Sequence, residues 1–223
     1  MNYIENIYIC LAAPLLVALF VVHRYRRQSL LFILAGITAC LFSSYISTFI
    51  ANVLEADPQS ASLEISPVVE EIMKLFPLVF YLLAFEPPKG EITGEALMIA
   101  IGFATLENTC YLMKGGADNT LRLLLRGFST GAMHVACGAA ISIIVTALWD
   151  RMYLRYAGML AALCLAITWH GIFNILVNQQ GAAAVIGFAL PVLTGIAVVM
   201  IRRRIYGPPP LQGADGPGTM RQV

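Results

Sequence analysis

Seven stretches of this chain are apolar for about the length a helix needs to cross a bilayer, roughly 20 residues. That pattern constrains the fold more than any other feature. The stretches run about 6–22, 29–53, 67–85, 92–113, 122–149, 155–178 and 182–201. With 59% apolar and 12% charged residues, too little polar surface remains to clothe a soluble globule of 223 residues. The expected fold class is therefore all-α, a polytopic integral membrane protein of about seven transmembrane helices, its surface in contact with the lipid bilayer. Nothing between the stretches is long enough for a second folded domain. Residues 1–206 read as one membrane domain, and 207–223, with Pro208 to Pro210 and several glycines, as a disordered tail. No internal repeat or inverted half is visible.

The connections set an expected orientation. His23 to Arg27 and Arg202 to Arg204 are basic, while the connection from Glu55 to Glu64 is acidic. The positive-inside rule then puts the N-terminus outside and the C-terminus in the cytoplasm of a multi-pass plasma-membrane protein. Lys89, Arg151 and Arg155 fall inside under this scheme, against Lys114 and Arg122 outside. Glu5 precedes the first apolar stretch and no basic segment does, so that stretch reads as a retained span and not a cleaved signal. A formal net charge of +1 argues against nucleic acid as a partner. The five cysteines, Cys10, Cys40, Cys110, Cys137 and Cys164, form no CxxC pair and read as small core residues.

Ionisable groups inside spans are costly and are usually kept for pairing or function. Four clusters stand out: Glu70, Glu71 and Lys74 early in the third span; Phe103, Glu107 and Asn108 late in the fourth; Arg126 through His134 early in the fifth; His170 and Asn174 late in the sixth. Successive spans run in opposite directions, so all four share one leaflet, the extracytoplasmic one under the orientation above. In the first cluster Ser66 reads as an N-cap and Pro67 as the first helical residue, which would set Glu70 and Glu71 in the second turn, near the positive end of the helix dipole. Lys74 can reach either glutamate but offers one charge against two, leaving one carboxylate poorly compensated, the profile of a general base. Pro77 is expected to bend the helix just beyond. Each cluster alone also reads as structural: an ion pair, a bonded carboxyl, satisfied core histidines, packing for Phe103. Their common depth is what joins them.

In this order on consecutive helices, Glu70-Glu71-x-x-Lys74, Phe103-x-x-x-Glu107, His134 and His170-x-x-x-Asn174 resemble the PrsW family of intramembrane proteases, relatives of the CAAX-processing and bacteriocin-processing enzymes. The likeness covers spans three to six, about 67–178. Lysine in the first motif favours the PrsW branch, since the CAAX proteases would carry arginine at longer spacing. The resemblance implies an intramembrane endopeptidase that makes the first cut in a membrane-spanning anti-sigma factor on its extracytoplasmic side, so the expected partner is a single-span membrane protein.

For peptide hydrolysis the preferred arrangement requires no cofactor. Glu70 is general base on a water also held by His134, Glu71 and Lys74 tune its charge, Glu107 orients His134, and His170 with Asn174 donate to the oxyanion. Phe103, Asn108 and Arg126 support them. Helix geometry alone does not choose between Glu70 and Glu71 as base. The alternative is a zinc protease with Glu107, His134 and His170 as ligands and Glu70 or Glu71 as base. Outside the enzyme class stands a non-catalytic binding or transport protein with a buried polar cluster. A substrate helix would have to enter sideways and unwind, because a helical peptide bond is shielded by its own hydrogen bonds.

Overall fold

The computed structural model describes residues 27–113 and 119–206. The expected first span, Cys10, Lys114 and the tail from Gly207 lie outside the described residues. Among the described residues six long helices follow one another: α1 (Arg27–Val53), α2 (Ser66–Phe85), α3 (Lys89–Met113), α4 (Thr120–Leu148), α5 (Met152–Val177) and α6 (Ala182–Tyr206). No strand occurs among the described residues. The all-α, multi-pass reading holds. The number of spans is met only in part, because four of these helices, α1, α3, α4 and α5, are long and apolar enough to cross a membrane. The apolar part of α6, Ala182–Ala197, is shorter. In α2 the charges of Glu70, Glu71 and Lys74 interrupt the apolar run.

The bundle is apolar on its surface as well as in its core, and its helix α2 turns charges inward. On α2 the buried side carries Glu71, Lys74, Leu78, Tyr81 and Leu82, while Val68, Ile72, Phe76, Phe80 and Leu83 are exposed, Phe76 by 71%. Aliphatic and aromatic side chains face outward on α1, α5 and α6 as well. Such a surface suits lipid and not water. Inside, Leu78 and Leu82 of α2 join Ile92, Ala96 and Ile99 of α3, Met133, Cys137 and Ile141 of α4, and Ala162, Ala166 and Phe173 of α5 in one core.

Helix α4 is the hub, packing on α3, α5 and α6, and α1 lies across α3 and α2. The crossing of α1 on α3 depends on two glycines. A Cβ at Gly36 would stand 2.0 Å from the carbonyl oxygen of Ile99, and one at Gly102 would stand 2.1 Å from that of Ile33. Without side chains there the two backbones touch, as small residues allow in membrane bundles. Because Phe103 follows Gly102, this crossing also fixes the height of the motif on α3.

The start of α2 differs from expectation. Ser66 is no cap: a single α-turn at Pro58–Ser60 and a π-helical stretch at Ala61–Ile65 run straight into it. The cap is Asp57, whose carboxylate accepts from the backbone N–H of Gln59 and Ser60 and from the Ser60 hydroxyl. Asp57 followed by Pro58 is the stronger start signal, a capping acceptor with proline in the first turn. Glu70 and Glu71 thus lie about three turns into the helical path, too deep for the dipole to act on them. Helix α2 continues unbroken through Pro77.

Candidate active site

Four helices bring their polar residues to one place, toward the end of the bundle where α2 begins and α3 and α5 finish. From α2, Glu71 and Lys74 point inward on one face, with Glu70 beside them. From α3 come Phe103 and Glu107, one turn apart. His134 comes from the middle of α4, and His170 from late in α5. Glu71, His134 and His170 are closed off from the surface, at 0%, 0% and 1% exposure.

The contacts form a chain. Lys74 Nζ donates to Glu71 Oε1 at 2.6 Å and to His134 Nδ1 at 2.7 Å. His134 Nε2 meets Glu107 Oε2 at 2.5 Å. His170 Nδ1 donates to the same Glu71 Oε1 at 2.8 Å, and its Nε2 lies 3.7 Å from Glu70 Oε2. The two imidazoles stand edge to face, 5.1 Å between centroids. Phe103, fully buried, underlies both the His134 ring and the Lys74 ammonium, each 5.1 Å from its centroid. A cation over an aromatic face is held by the ring quadrupole.

Other expected residues stand further out. Arg126 Nη2 reaches Glu107 Oε1 at 3.5 Å while its guanidinium lies over Tyr111 at 4.0 Å. Asn108 turns away and donates to the Gly127 carbonyl at 3.3 Å, tying α3 to α4. Asn174 does not enter the cluster, because its amide donates to the Ser62 carbonyl at 3.1 Å, in the π-helical stretch ahead of α2. Cys137 is buried against Met133 and the Ala166 carbonyl. The sequence reading missed Tyr111 and Ser62. An aromatic residue one turn beyond Glu107 was an available signal for the first, while no side-chain pattern marks a carbonyl such as that of Ser62.

Two carboxylate oxygens of the cluster are left over. Glu70 Oε2 and Glu71 Oε2 are buried and have no hydrogen-bond partner among the described residues. A buried carboxylate oxygen without a partner is costly and calls for a cation or a proton. Glu70, His134 and His170 each present one donor atom, and the three atoms lie within 4.8 Å of one another. Two imidazoles and a carboxylate suit a metal such as zinc, with a position left open for reaction. The residues present therefore fit a metal ion. Glu107, expected among the ligands, is instead engaged by His134 and Arg126, and Glu70 stands in the group in its place.

A multi-pass bundle that gathers carboxylates, histidines and a lysine away from lipid has the makings of an intramembrane hydrolase. Comparison with known families matches residues 25–201 to the PrsW family intramembrane metalloproteases, and the chain belongs to that family. It is a peptidase working within the membrane. No curated protein and no solved structure matches the chain. Family membership corrects the expectation that no cofactor is required: the family is one of metalloproteases, and Glu70, His134 and His170 offer a possible metal site.

Proposed function

We propose that this chain is a metal-dependent endopeptidase that cuts a single-span membrane protein near the extracytoplasmic face of the plasma membrane, as the first cleavage of an anti-sigma factor. The observation that carries the catalytic part is the buried group of Glu70, His134 and His170 with an unpartnered Glu70 oxygen. The substrate class follows from the motif resemblance, as does kinship with the CAAX-processing enzymes. The side of the membrane follows from loop charge. Lys89, paired with Asp150, and Arg155, bound to the Trp149 carbonyl, lie at the end of the bundle away from the site. If that end is cytoplasmic, the site is extracytoplasmic, the N-terminus outside and the C-terminus inside.

Glu70, His134 and His170 would hold the metal, which when bound supplies a Lewis acid that makes water nucleophilic near neutral pH. The remaining work falls to the protein. Glu71 Oε1 accepts from His170 Nδ1, so the ring keeps its Nε2 lone pair turned toward Glu70. Carboxylates behind ligating histidines commonly fix tautomer and orientation in this way. Glu107, steadied by Arg126, does the same for His134. Glu71 Oε2 takes the proton released as water adds to the scissile carbonyl carbon, and gives it to the leaving nitrogen as the C–N bond breaks. Asn174 tethers the π-helical stretch that leads into α2 and so holds the height of both glutamates.

The test is cleavage of a single-span anti-sigma-type substrate by the purified chain in proteoliposomes, with the cut mapped by mass spectrometry. We expect a cut in the extracytoplasmic half of the substrate span, abolished by chelator and restored by zinc. A cut in the other half would overturn the orientation, and cleavage indifferent to chelator would overturn the metal.

A further inference from the structure

His134 differs from His170 in one respect that bears on metal binding. Both of its ring nitrogens are engaged, Nδ1 by Lys74 at 2.7 Å and Nε2 by Glu107 at 2.5 Å. An ammonium has only hydrogens to offer and a carboxylate only lone pairs. The ring therefore carries its proton on Nε2, toward Glu107, and its lone pair on Nδ1, against Lys74. His170 instead donates through Nδ1 to Glu71 and faces Glu70 with Nε2. Of the three candidate ligands, only His134 has its lone pair covered.

A metal approaching Nδ1 needs the lone pair that Lys74 fills. A metal approaching Nε2 needs the other tautomer, whose Nδ1–H would point at the ammonium, donor against donor. On either nitrogen, Lys74 has to leave its place. Charge works in the same direction, since two cations a few ångströms apart in a low-dielectric interior repel strongly. Nor is Lys74 a loose side chain that drifts in: it is 7% exposed, held by Glu71 Oε1 and seated over Phe103.

We infer that Lys74 is a resident competitor for the metal: its ammonium covers the His134 lone pair, has to withdraw from the ring for an ion to bind there, and thereby sets how tightly the site binds. Lys74 is on this view a positioning residue, acting through His134. The inference rests on the metal-dependent reading above.

Zinc affinity of the purified full chain in detergent, measured by competition with a chromophoric chelator, tests this without recourse to activity. Wild type is compared with Lys74→Met and Lys74→Gln, each also in a His134→Ala background. Lys74→Gln guards against misfolding of Lys74→Met, because its amide still donates to Glu71. We expect both Lys74 variants to bind zinc about tenfold tighter than wild type or better, and the gain to vanish in the His134→Ala background. Equal affinity in wild type and both variants would overturn the inference and leave the metal-dependent reading in place. A gain that survives His134→Ala would overturn it too, by tracing the effect to net charge alone. Absence of zinc binding in every protein would overturn the inference and the metal-dependent reading together.

Discussion

Lys89 and Asp150 pair at one end of the bundle with 43% and 73% of their side chains exposed, whereas Lys74 and Glu71 pair toward the other with 7% and 0%. Chemically these are the same lysine–carboxylate contact. At the exposed end, each charge stays hydrated, and the pair adds little beyond marking which end of the bundle lies at the membrane surface. In the interior, desolvation costs more than the pair returns, so the buried contact weakens the bundle unless every group is bound to something further. Nearly every group is: Glu71 also takes His170, Lys74 also takes His134, and His134 takes Glu107. Among the carboxylates of the cluster, Glu70 Oε2 and Glu71 Oε2 remain without a hydrogen bond, and there chemistry can enter. On the proposed reading, the contrast separates charges that orient a membrane protein from charges that serve its chemistry.

The contrast is broken most severely at the candidate ligands. Glu70→Gln and His170→Ala should each lower cleavage about 10³-fold or more and release the metal, read by peptide assay and metal analysis. Retention of both would remove Glu70 and His170 from the site. Glu107→Ala should act one step back, weakening metal binding or turnover by about 10–100-fold through a loosened His134. An unchanged affinity and rate would show that the Glu107 contact is packing only.

Packing comes next in size. Gly102→Ala drives a methyl into the Ile33 carbonyl and should cost about 1–3 kcal/mol, seen as earlier thermal unfolding in detergent. Gly94→Ala, with nothing within 4 Å, should not lower the midpoint. Equal effects at the two glycines would contradict the α1–α3 crossing. At the exposed end, Lys89→Ala should change stability by about 1 kcal/mol or less and leave cleavage unchanged. A larger loss would erase the distinction between the two ends.

The smallest effect lies at Asp57. Hydrogen bonds from Ser60 and Gln59 hold its carboxyl below the usual range in the folded chain. A depressed folded value means its contribution is present above the unfolded carboxyl range and is lost as pH falls through the folded one. Amide exchange at Gln59 and Ser60 should therefore quicken, relative to the intrinsic rate, only in acid. Protection unchanged down to that range would remove Asp57 as the cap.

Much of the site was legible because a charge in an apolar run is conspicuous. Glu70, Glu71, Lys74, Glu107, His134 and His170 were all found that way, and antiparallel succession was enough to put them at a shared depth. Reach was harder to read. Helical spacing set His170 and Asn174 on one face, and both do contact the α2 side, but Asn174 lies a turn further along and meets Ser62. Which carboxylate joins the two histidines depends on side-chain reach across helix interfaces, and no spacing within a helix reveals it. Thus Glu107, and not Glu70, was the expected ligand. The helix start was misplaced because Ser66-Pro67 and Asp57-Pro58 carry the same capping grammar, and a π-helical stretch joins what reads as a loop and a helix.

The most direct measurement is metal content and substrate cleavage read on the same purified samples, wild type beside Glu70→Gln and a His134→Ala/His170→Ala double variant. About one metal ion per wild-type chain, with metal and cleavage lost together in both variants, is the predicted result. Full metal content in the double variant, or full cleavage by wild type stripped of metal, would contradict a metalloprotease site built on Glu70, His134 and His170.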